Sequence, residues 1–147
     1  MSNKPILICM VGLPRSGKST IVRKLMDYHK APVVRRDDIR LALHGMRYQS
    51  LAEPFVKAIS DVMIRTLFLS GHPVVICDET NYSRAARDFH KSDKWDTVFY
   101  EVDTSPEVCI KRAHKTGQPD LEPVIRDMYS RREPLGKDEK VYSGPCI

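Results

Sequence analysis

The chain has 147 residues, a common single-domain size, and its 41% of hydrophobic residues are enough to form one core. Its 24 Lys and Arg residues exceed its 19 Asp and Glu residues and leave a net charge of +5, which mildly favours polyanionic partners, although a basic solvated surface would have the same composition. Neither a dense disulfide framework nor a zinc motif is predicted, because no C-x-x-C pair occurs among Cys9, Cys77, Cys109 and Cys146.

Four short runs rich in β-branched residues predict strands at 6–11, 32–35, 74–77 and 97–102. The first and third runs are apolar almost throughout, which is typical of parallel strands covered by helices on both faces. The first run is too short to span a bilayer. We therefore expect one α/β domain over residues 1–147, with a parallel sheet of about four strands flanked by helices, in the cytoplasm and without a membrane partner.

Helical patterns lie between the predicted strands. The first helix is expected to begin inside a glycine-containing loop and to run to about His29. A longer helix is predicted to begin at Ser50 and Glu53, which have the spacing of a capping box, and to close at Gly71.

Two further helices are predicted in the C-terminal third of the chain. Ser105 and Pro106 are typical of an N-cap and a first helical position, and a last helix is expected from about Pro123. Basic side chains at both edges of the loop between these helices suggest a small lid over about residues 112–126. The tail, residues 134–147, has weak periodicity, and we expect it to be loosely attached and to carry no chemistry.

The strongest motif of the chain is a phosphate loop. It matches G-x-x-x-x-G-K-[ST] directly after a predicted strand and at the opening of a helix, which is the context that this motif requires. Inward N–H groups and the helix N-terminus of such a loop bind phosphate. Lys18 would reach the β and γ phosphates of ATP, and the Ser19 hydroxyl would ligate Mg²⁺. The predicted ATP-binding residues of the loop are Gly12, Leu13, Pro14, Arg15, Ser16, Gly17, Lys18, Ser19 and Thr20.

Charged residues follow the second predicted strand in the R-D-D-I-R run of residues 36–40. In an open α/β sheet, the carboxyl ends of the strands face the ligand crevice. One of Asp37 and Asp38 could therefore take the proton from an attacking hydroxyl, and Arg40 could hold an anionic group of the acceptor. The alternative is a helix start, with an aspartate at the N-cap beside a neutralising arginine. The pattern favours catalysis for Asp37 and the helix start for Asp38.

Polar residues also follow the third predicted strand. Asp78 occupies a position that resembles a Walker B carboxylate, which orients Mg²⁺ through water or holds a neighbouring basic residue. We therefore take Asp78 as a candidate metal and substrate residue, and Thr80 and Asn81 as candidate substrate residues. Acids at strand ends are also common helix caps, which is the competing interpretation.

Cations flank the predicted lid, where at least one is needed to offset charge as a phosphoryl group moves. Arg112 and Arg126 are the candidate ATP-binding residues, with Lys115 beside them, and a solvated basic face would explain each equally well. The five histidines show no metal-ligand spacing and are expected at the surface or at helix ends, and Trp95 is expected in the core.

The chain resembles the kinase domain of the phage T4-type polynucleotide 5′-hydroxyl kinases, within the wider group of zeta-toxin-like and small-molecule P-loop kinases. The resemblance covers roughly residues 5–133 and rests on four motifs. These are the phosphate loop at 12–20, the R-D-D-I-R run at 36–40, the D-E-T-N run at 78–81, similar to the family's D-x-T-N, and Lys111-Arg112 at the lid.

The resemblance implies a parallel sheet with strand order 2-3-1-4 and four catalytic residues. Lys18 would act on ATP, Asp37 would be the general base toward the 5′-hydroxyl of a nucleic acid end, Arg40 would grip the adjacent phosphate, and Arg112 would hold the phosphates of ATP. The acceptor could be DNA or RNA, and the oligomeric state stays open.

One departure from the family pattern is Thr116, which stands where the family has a second lid arginine. The role of the missing arginine would fall to Lys115 or Arg126, or phosphoryl transfer would be weak. Two other functions therefore stay open beside the polynucleotide kinase. The same residues would serve a kinase of a small sugar, nucleoside or antibiotic, and a catalytically silent ATP-binding module would also keep the phosphate loop.

Overall fold

A parallel sheet forms the centre of the protein, whose computed structural model describes residues 3–46, 48 and 50–145. Its five strands lie in the order β2-β3-β1-β4-β5. They are β1 (Ile6–Val11), β2 (Val33–Arg35), β3 (Val74–Asp78), β4 (Asp96–Glu101) and β5 (Lys140–Val141). The predicted α/β class and the predicted order of the first four strands are confirmed, and a fifth strand is added beside β4.

Helices connect the strands and cover both faces of the sheet. They are α1 (Lys18–His29), α2 (Arg36–His44), α3 (Glu53–Leu69), α4 (Arg84–Asp88), α5 (Pro106–Lys115) and α6 (Leu121–Ser130), and a short 3₁₀ helix spans Ser50–Ala52. Within the described part of the chain, none of these helices has the length and apolar character needed to cross a membrane.

The helix starts show which local signals were decisive. Ser105 caps α5 as predicted, since its hydroxyl accepts a hydrogen bond of 3.3 Å from the Val108 N–H. The predicted capping box at Ser50 is wrong, because Ser50 lies in the 3₁₀ helix and Ala52 occupies the N-cap of α3. The chain thus enters α3 through an extra helical turn, which leaves Glu53 free for another role.

The strand β1 is buried on both faces. Cys9 faces a core layer that includes Val56 and Ile64 of α3, whereas Met10 faces a second layer that includes Leu25 of α1. Trp95 is 3% exposed and packs in the first layer, as expected. Burial on both sides fixes the direction of β1, and so fixes the loop that follows its carboxyl end.

The tail differs from the expectation of loose attachment. It supplies β5, which pairs with β4, and the fully buried Glu139 carboxylate binds the Arg87 guanidinium at 3.0 Å. Arg87, itself fully buried, also donates hydrogen bonds to the carbonyls of Glu133 and Pro134 at 2.8 and 3.2 Å. Sequence reasoning missed this clamp because Arg87 and Glu139 are 52 positions apart and form no motif.

Candidate active site

The phosphate loop joins β1 to α1 and has the backbone of an anion-binding nest. Arg15 and Gly17 have φ values of 65° and 99°, in the left-handed region, which alternates with right-handed residues in such nests. At Gly12, a Cβ atom would lie 2.9 Å from Ser16 Oγ and 3.2 Å from the carbonyl oxygen of Val102. A side chain at Gly12 would therefore displace the loop, which explains the first glycine of the motif.

Lys18 is held inside the loop. Its Nζ donates hydrogen bonds to the carbonyls of Gly12 and Leu13 at 2.9 and 2.6 Å. Burial lowers the pKa of Lys18 to about 8, although the nearby carboxylates of Asp78 and Asp37 oppose this shift. The two acidic residues predicted at different strand ends therefore act electrostatically on the same lysine.

The loop fits a nucleotide phosphate and a magnesium ion. The Ser16 hydroxyl is buried and has no hydrogen-bond partner among the described residues, so it is available to a phosphate oxygen. Ser19 and Thr20 are exposed at the start of α1. Ser19 would hold Mg²⁺ with its hydroxyl oxygen, a ligand type that this ion prefers.

Two residues from the opposite side of the site fasten the loop. Thr104 Oγ1 donates a hydrogen bond of 2.7 Å to the Ser16 carbonyl, and Arg112 Nη1 donates one of 3.2 Å to the Arg15 carbonyl. Arg112 thus lies at the phosphate loop, where its predicted role requires it. Thr104 was missed because a lone threonine after a strand carries no motif.

The segment after β3 is tied to the same loop. The Gly12 N–H donates to the Thr80 carbonyl at 3.0 Å, and Asn81 Nδ2 donates to the Met10 carbonyl at 2.8 Å. Asn81 is 2% exposed and has a φ of 50°. Its side-chain amide is therefore engaged with β1, and the geometry favours a positioning role for Asn81 over the predicted contact with substrate.

The Asp78 carboxylate is paired with an arginine that sequence reasoning did not select. Arg35 Nε donates a hydrogen bond of 2.7 Å to Asp78 Oδ2, and the Asp78 side chain is 7% exposed. Arg35 in turn lies 3.5 Å from Asp38, at the solvent side. One oxygen of the Asp78 carboxylate is thus already bound by Arg35.

Asp37 and Arg40 lie together on α2 beside the phosphate loop. The N-cap of α2 is Arg35, so the helix-start alternative is wrong in its detail: both aspartates lie in the first turn. The Asp37 side chain is 59% exposed and accepts a hydrogen bond of 2.7 Å from Arg40 Nη1. Arg40 is also bound by Glu53, at 2.6 and 2.8 Å. The site therefore holds an accessible carboxylate in a fixed position.

The predicted lid is a hairpin of α5 and α6. The Thr116 hydroxyl donates to the carbonyls of Arg112 and Ala113 at 2.9 and 3.2 Å, so it serves the end of α5. The Arg126 side chain is 60% exposed, and its ion pair of 3.2 Å is with Glu122. The structure thus brings Arg112 to the phosphate loop, whereas Arg126 is engaged on its own helix.

Residues 7–135 match the model of a family described as an AAA domain. The chain belongs to this AAA domain family. Its fold is that of the P-loop kinases, as three solved structures show.

A chain of a Pnkp1/Rnl/Hen1 complex is 31% identical with a TM-score of 0.68, over 78% of this chain and 40% of that chain. A chain of the Pnkp1/Rnl/Hen1 RNA repair complex is 22% identical with a TM-score of 0.68, over 90% of this chain and 48% of that chain. A gluconokinase from Sinorhizobium meliloti 1021 is 21% identical with a TM-score of 0.65, over 95% of this chain and 82% of that chain. The protein thus spans less than half the length of the first two chains, and no curated protein has significant sequence similarity to it.

Proposed function

We propose that the protein is an ATP-dependent kinase that transfers the γ-phosphate of ATP to the 5′-hydroxyl of a nucleic acid end. The observation that carries this proposal is the position of Asp37, an exposed carboxylate fixed by Arg40 and close enough to Lys18 to affect its pKa. The 31% identity to a chain of a Pnkp1/Rnl/Hen1 complex supports the nucleic acid acceptor.

In the proposed reaction, Asp37 accepts the proton of the attacking hydroxyl. The hydroxyl oxygen then forms a bond to the γ-phosphorus, and the bond from that phosphorus to the β,γ-bridging oxygen breaks, so that ADP leaves with the electron pair. Lys18 and Arg112, both at the phosphate loop, offset the negative charge that moves with the phosphoryl group. Ser19 and Asp78 would hold Mg²⁺, which would supply positive charge against the negative charge of the phosphates.

The acceptor would be held by its own phosphate. Arg40 is one helical turn beyond Asp37. The phosphate next to the reacting nucleoside would therefore contact the Arg40 guanidinium when the 5′-hydroxyl of that nucleoside contacts the Asp37 carboxylate. The net charge of +5 would add a general attraction to the nucleic acid backbone. Acceptor binding should therefore weaken as salt rises, while binding of a neutral sugar would not.

The test is an acceptor comparison with ATP labelled in its γ-phosphate. A short 5′-hydroxyl oligonucleotide, the same strand already 5′-phosphorylated, and a panel of sugars and nucleosides are each incubated with the protein and Mg²⁺. Label on the 5′-hydroxyl strand alone supports the proposal. Label only on a small molecule would make the protein a metabolite kinase, and ATP binding without transfer to any acceptor would make it a silent nucleotide-binding module.

A further inference from the structure

Two cysteines and a histidine meet inside the core. Cys9 of β1 and Cys77 of β3 are register partners on neighbouring parallel strands, so their side chains point to the same face of the sheet. His90, which was expected at the surface or at a helix end, is 2% exposed. The Sγ atoms of Cys9 and Cys77 and a ring nitrogen of His90 all lie within 4.8 Å of one another, and all three residues are buried.

A carboxylate, that of Glu79, lies next to His90 in this cluster. Glu79 Oε2 lies 3.1 Å from His90 Nε2, and the Glu79 side chain is 8% exposed. The other oxygen of Glu79 lies 2.6 Å from Arg36 Nε. The two sulfur atoms and the ring nitrogen thus lie close together, and one Glu79 oxygen lies beside that nitrogen, while the other is paired with Arg36.

The spacing of these atoms fits a tetrahedral zinc ion. With metal–sulfur and metal–nitrogen bonds of about 2.3 and 2.0 Å, a tetrahedral ion separates a sulfur from a nitrogen by about 3.5 Å. The distance between Cys77 Sγ and His90 Nε2 is 3.7 Å. A rotation of the Glu79 side chain would add its Oε2 as the fourth donor.

We propose that Cys9, Cys77, His90 and Glu79 form a closed structural site for a zinc-type divalent cation. All four protein donors are used, so the site has no open position for catalysis. It would join β1 to β3, the strands that lead into the phosphate loop and into Asp78. The ion would therefore stabilise the two strands that carry the active-site residues, and it would take no part in phosphoryl transfer.

Charge and proton balance support such an ion. Binding releases one proton from each thiol to solvent, so that Cys9 and Cys77 bind as thiolates, and His90 binds as a neutral ring through an unprotonated Nε2 with its proton on Nδ1. Two thiolates, the Glu79 carboxylate, a divalent cation and the Arg36 guanidinium then sum to zero. A neutral group of this kind is compatible with burial, where an unbalanced charge is costly.

The test is refolding of the denatured protein with excess Zn²⁺ or Co²⁺, or with a chelator, followed by gel filtration. We expect one zinc ion per chain and, with Co²⁺, the near-ultraviolet charge-transfer band that only a cobalt–thiolate bond produces. We also expect the midpoint temperature of unfolding to be higher with zinc than with chelator. Cys9→Ala and Cys77→Ala should each lower the zinc content and reduce the cobalt–thiolate band.

Two controls make the result specific. Cys109→Ala removes a buried thiol outside the cluster and should keep the metal at the wild-type level. His90→Gln keeps a hydrogen-bond donor toward Glu79 but removes the nitrogen ligand, and should weaken zinc binding about tenfold or more. Should Cys9→Ala and Cys77→Ala fail to fold, the wild-type protein still decides. Absence of the cobalt–thiolate band and of any zinc-dependent change in unfolding temperature in the wild-type protein would overturn the proposal.

Discussion

The Arg40 guanidinium and the Glu53 carboxylate form a two-pronged ion pair, with Nη2 to Oε1 at 2.6 Å and Nε to Oε2 at 2.8 Å. Both side chains are partly buried, and Arg40 keeps Nη1 for Asp37. A bidentate pair of this geometry fixes the plane of the guanidinium. Glu53 therefore sets the position of the cation that in turn positions the proposed base.

The first prediction concerns this positioning. Glu53→Gln keeps the size of the side chain but removes its charge, so Arg40 should turn more freely and Asp37 should be less well oriented. We expect kcat for transfer to fall about tenfold, with the affinity for ATP unchanged. Steady-state kinetics and ATP titration measure the two effects. Asp61→Asn on the same helix breaks an ion pair with Arg65 and is the matched control, which should leave both values unchanged. Equal losses in ATP affinity and kcat would contradict the assigned role.

The second prediction concerns the tether of the phosphate loop. Thr104→Val removes the hydroxyl that donates to the Ser16 carbonyl and keeps the side-chain shape. Loss of one hydrogen bond should weaken ATP binding about five- to tenfold. Thr97→Val removes a similar hydrogen bond to the His90 carbonyl, far from the loop, and should leave ATP binding unchanged. If the two variants bind ATP equally well, Thr104 does not position the loop.

The third prediction concerns the protonation of Lys18 when ATP binds. Because burial lowers the pKa of Lys18 to about 8, part of the free protein carries a neutral lysine at pH 8 and above. A bound phosphate favours the charged ammonium and raises this pKa, so ATP binding should take up a proton in that range. The ATP affinity should accordingly fall as the pH rises above about 8.

Calorimetry in buffers of different ionisation enthalpy measures the proton uptake directly. Lys18→Met should bind ATP weakly and without the uptake. If wild-type uptake at about pH 9 is absent while ATP still binds, the lowered pKa of Lys18 is not linked to the phosphate site.

The fourth prediction concerns the clamp on the tail. Glu139→Gln leaves the fully buried Arg87 guanidinium without its carboxylate partner. We expect the free energy of unfolding to fall by roughly 3 kcal/mol, since an unpaired buried charge is costly. Asp138→Asn removes the exposed neighbour that pairs with Arg84, and this change should leave the free energy of unfolding nearly unchanged, because exposed ion pairs contribute little. Urea unfolding measures the free energy of unfolding of both variants. Equal losses in the two variants would show that the buried Glu139–Arg87 pair does not hold the tail in place.

The parts of the fold that sequence reasoning predicted depend on local patterns. The apolar run of β1, the glycines of the phosphate loop and the Ser105 cap each act over a few residues, and their positions agree with the structure. The short α4, by contrast, carries no apolar period that would have indicated it.

The parts that were missed depend on contacts between distant residues. Arg35 is 43 positions from Asp78, and Arg87 is 52 positions from Glu139, so neither pair has a spacing that sequence alone can identify. His90 was expected at the surface or at a helix end because the histidines show no metal-ligand spacing in the sequence. The parallel pairing of β1 with β3 brings Cys9 and Cys77 to it only in the folded chain.

The measurement that tests the central claim most directly compares γ-phosphate transfer to a 5′-hydroxyl oligonucleotide by the wild-type, Asp37→Asn and Asp38→Asn proteins. The account predicts that Asp37→Asn binds ATP normally but loses transfer by about 10² to 10⁴-fold, the usual contribution of a general base, whereas Asp38→Asn stays close to wild type. Transfer by Asp37→Asn at the wild-type rate, or equal losses in both variants, would contradict the role of Asp37 as the base.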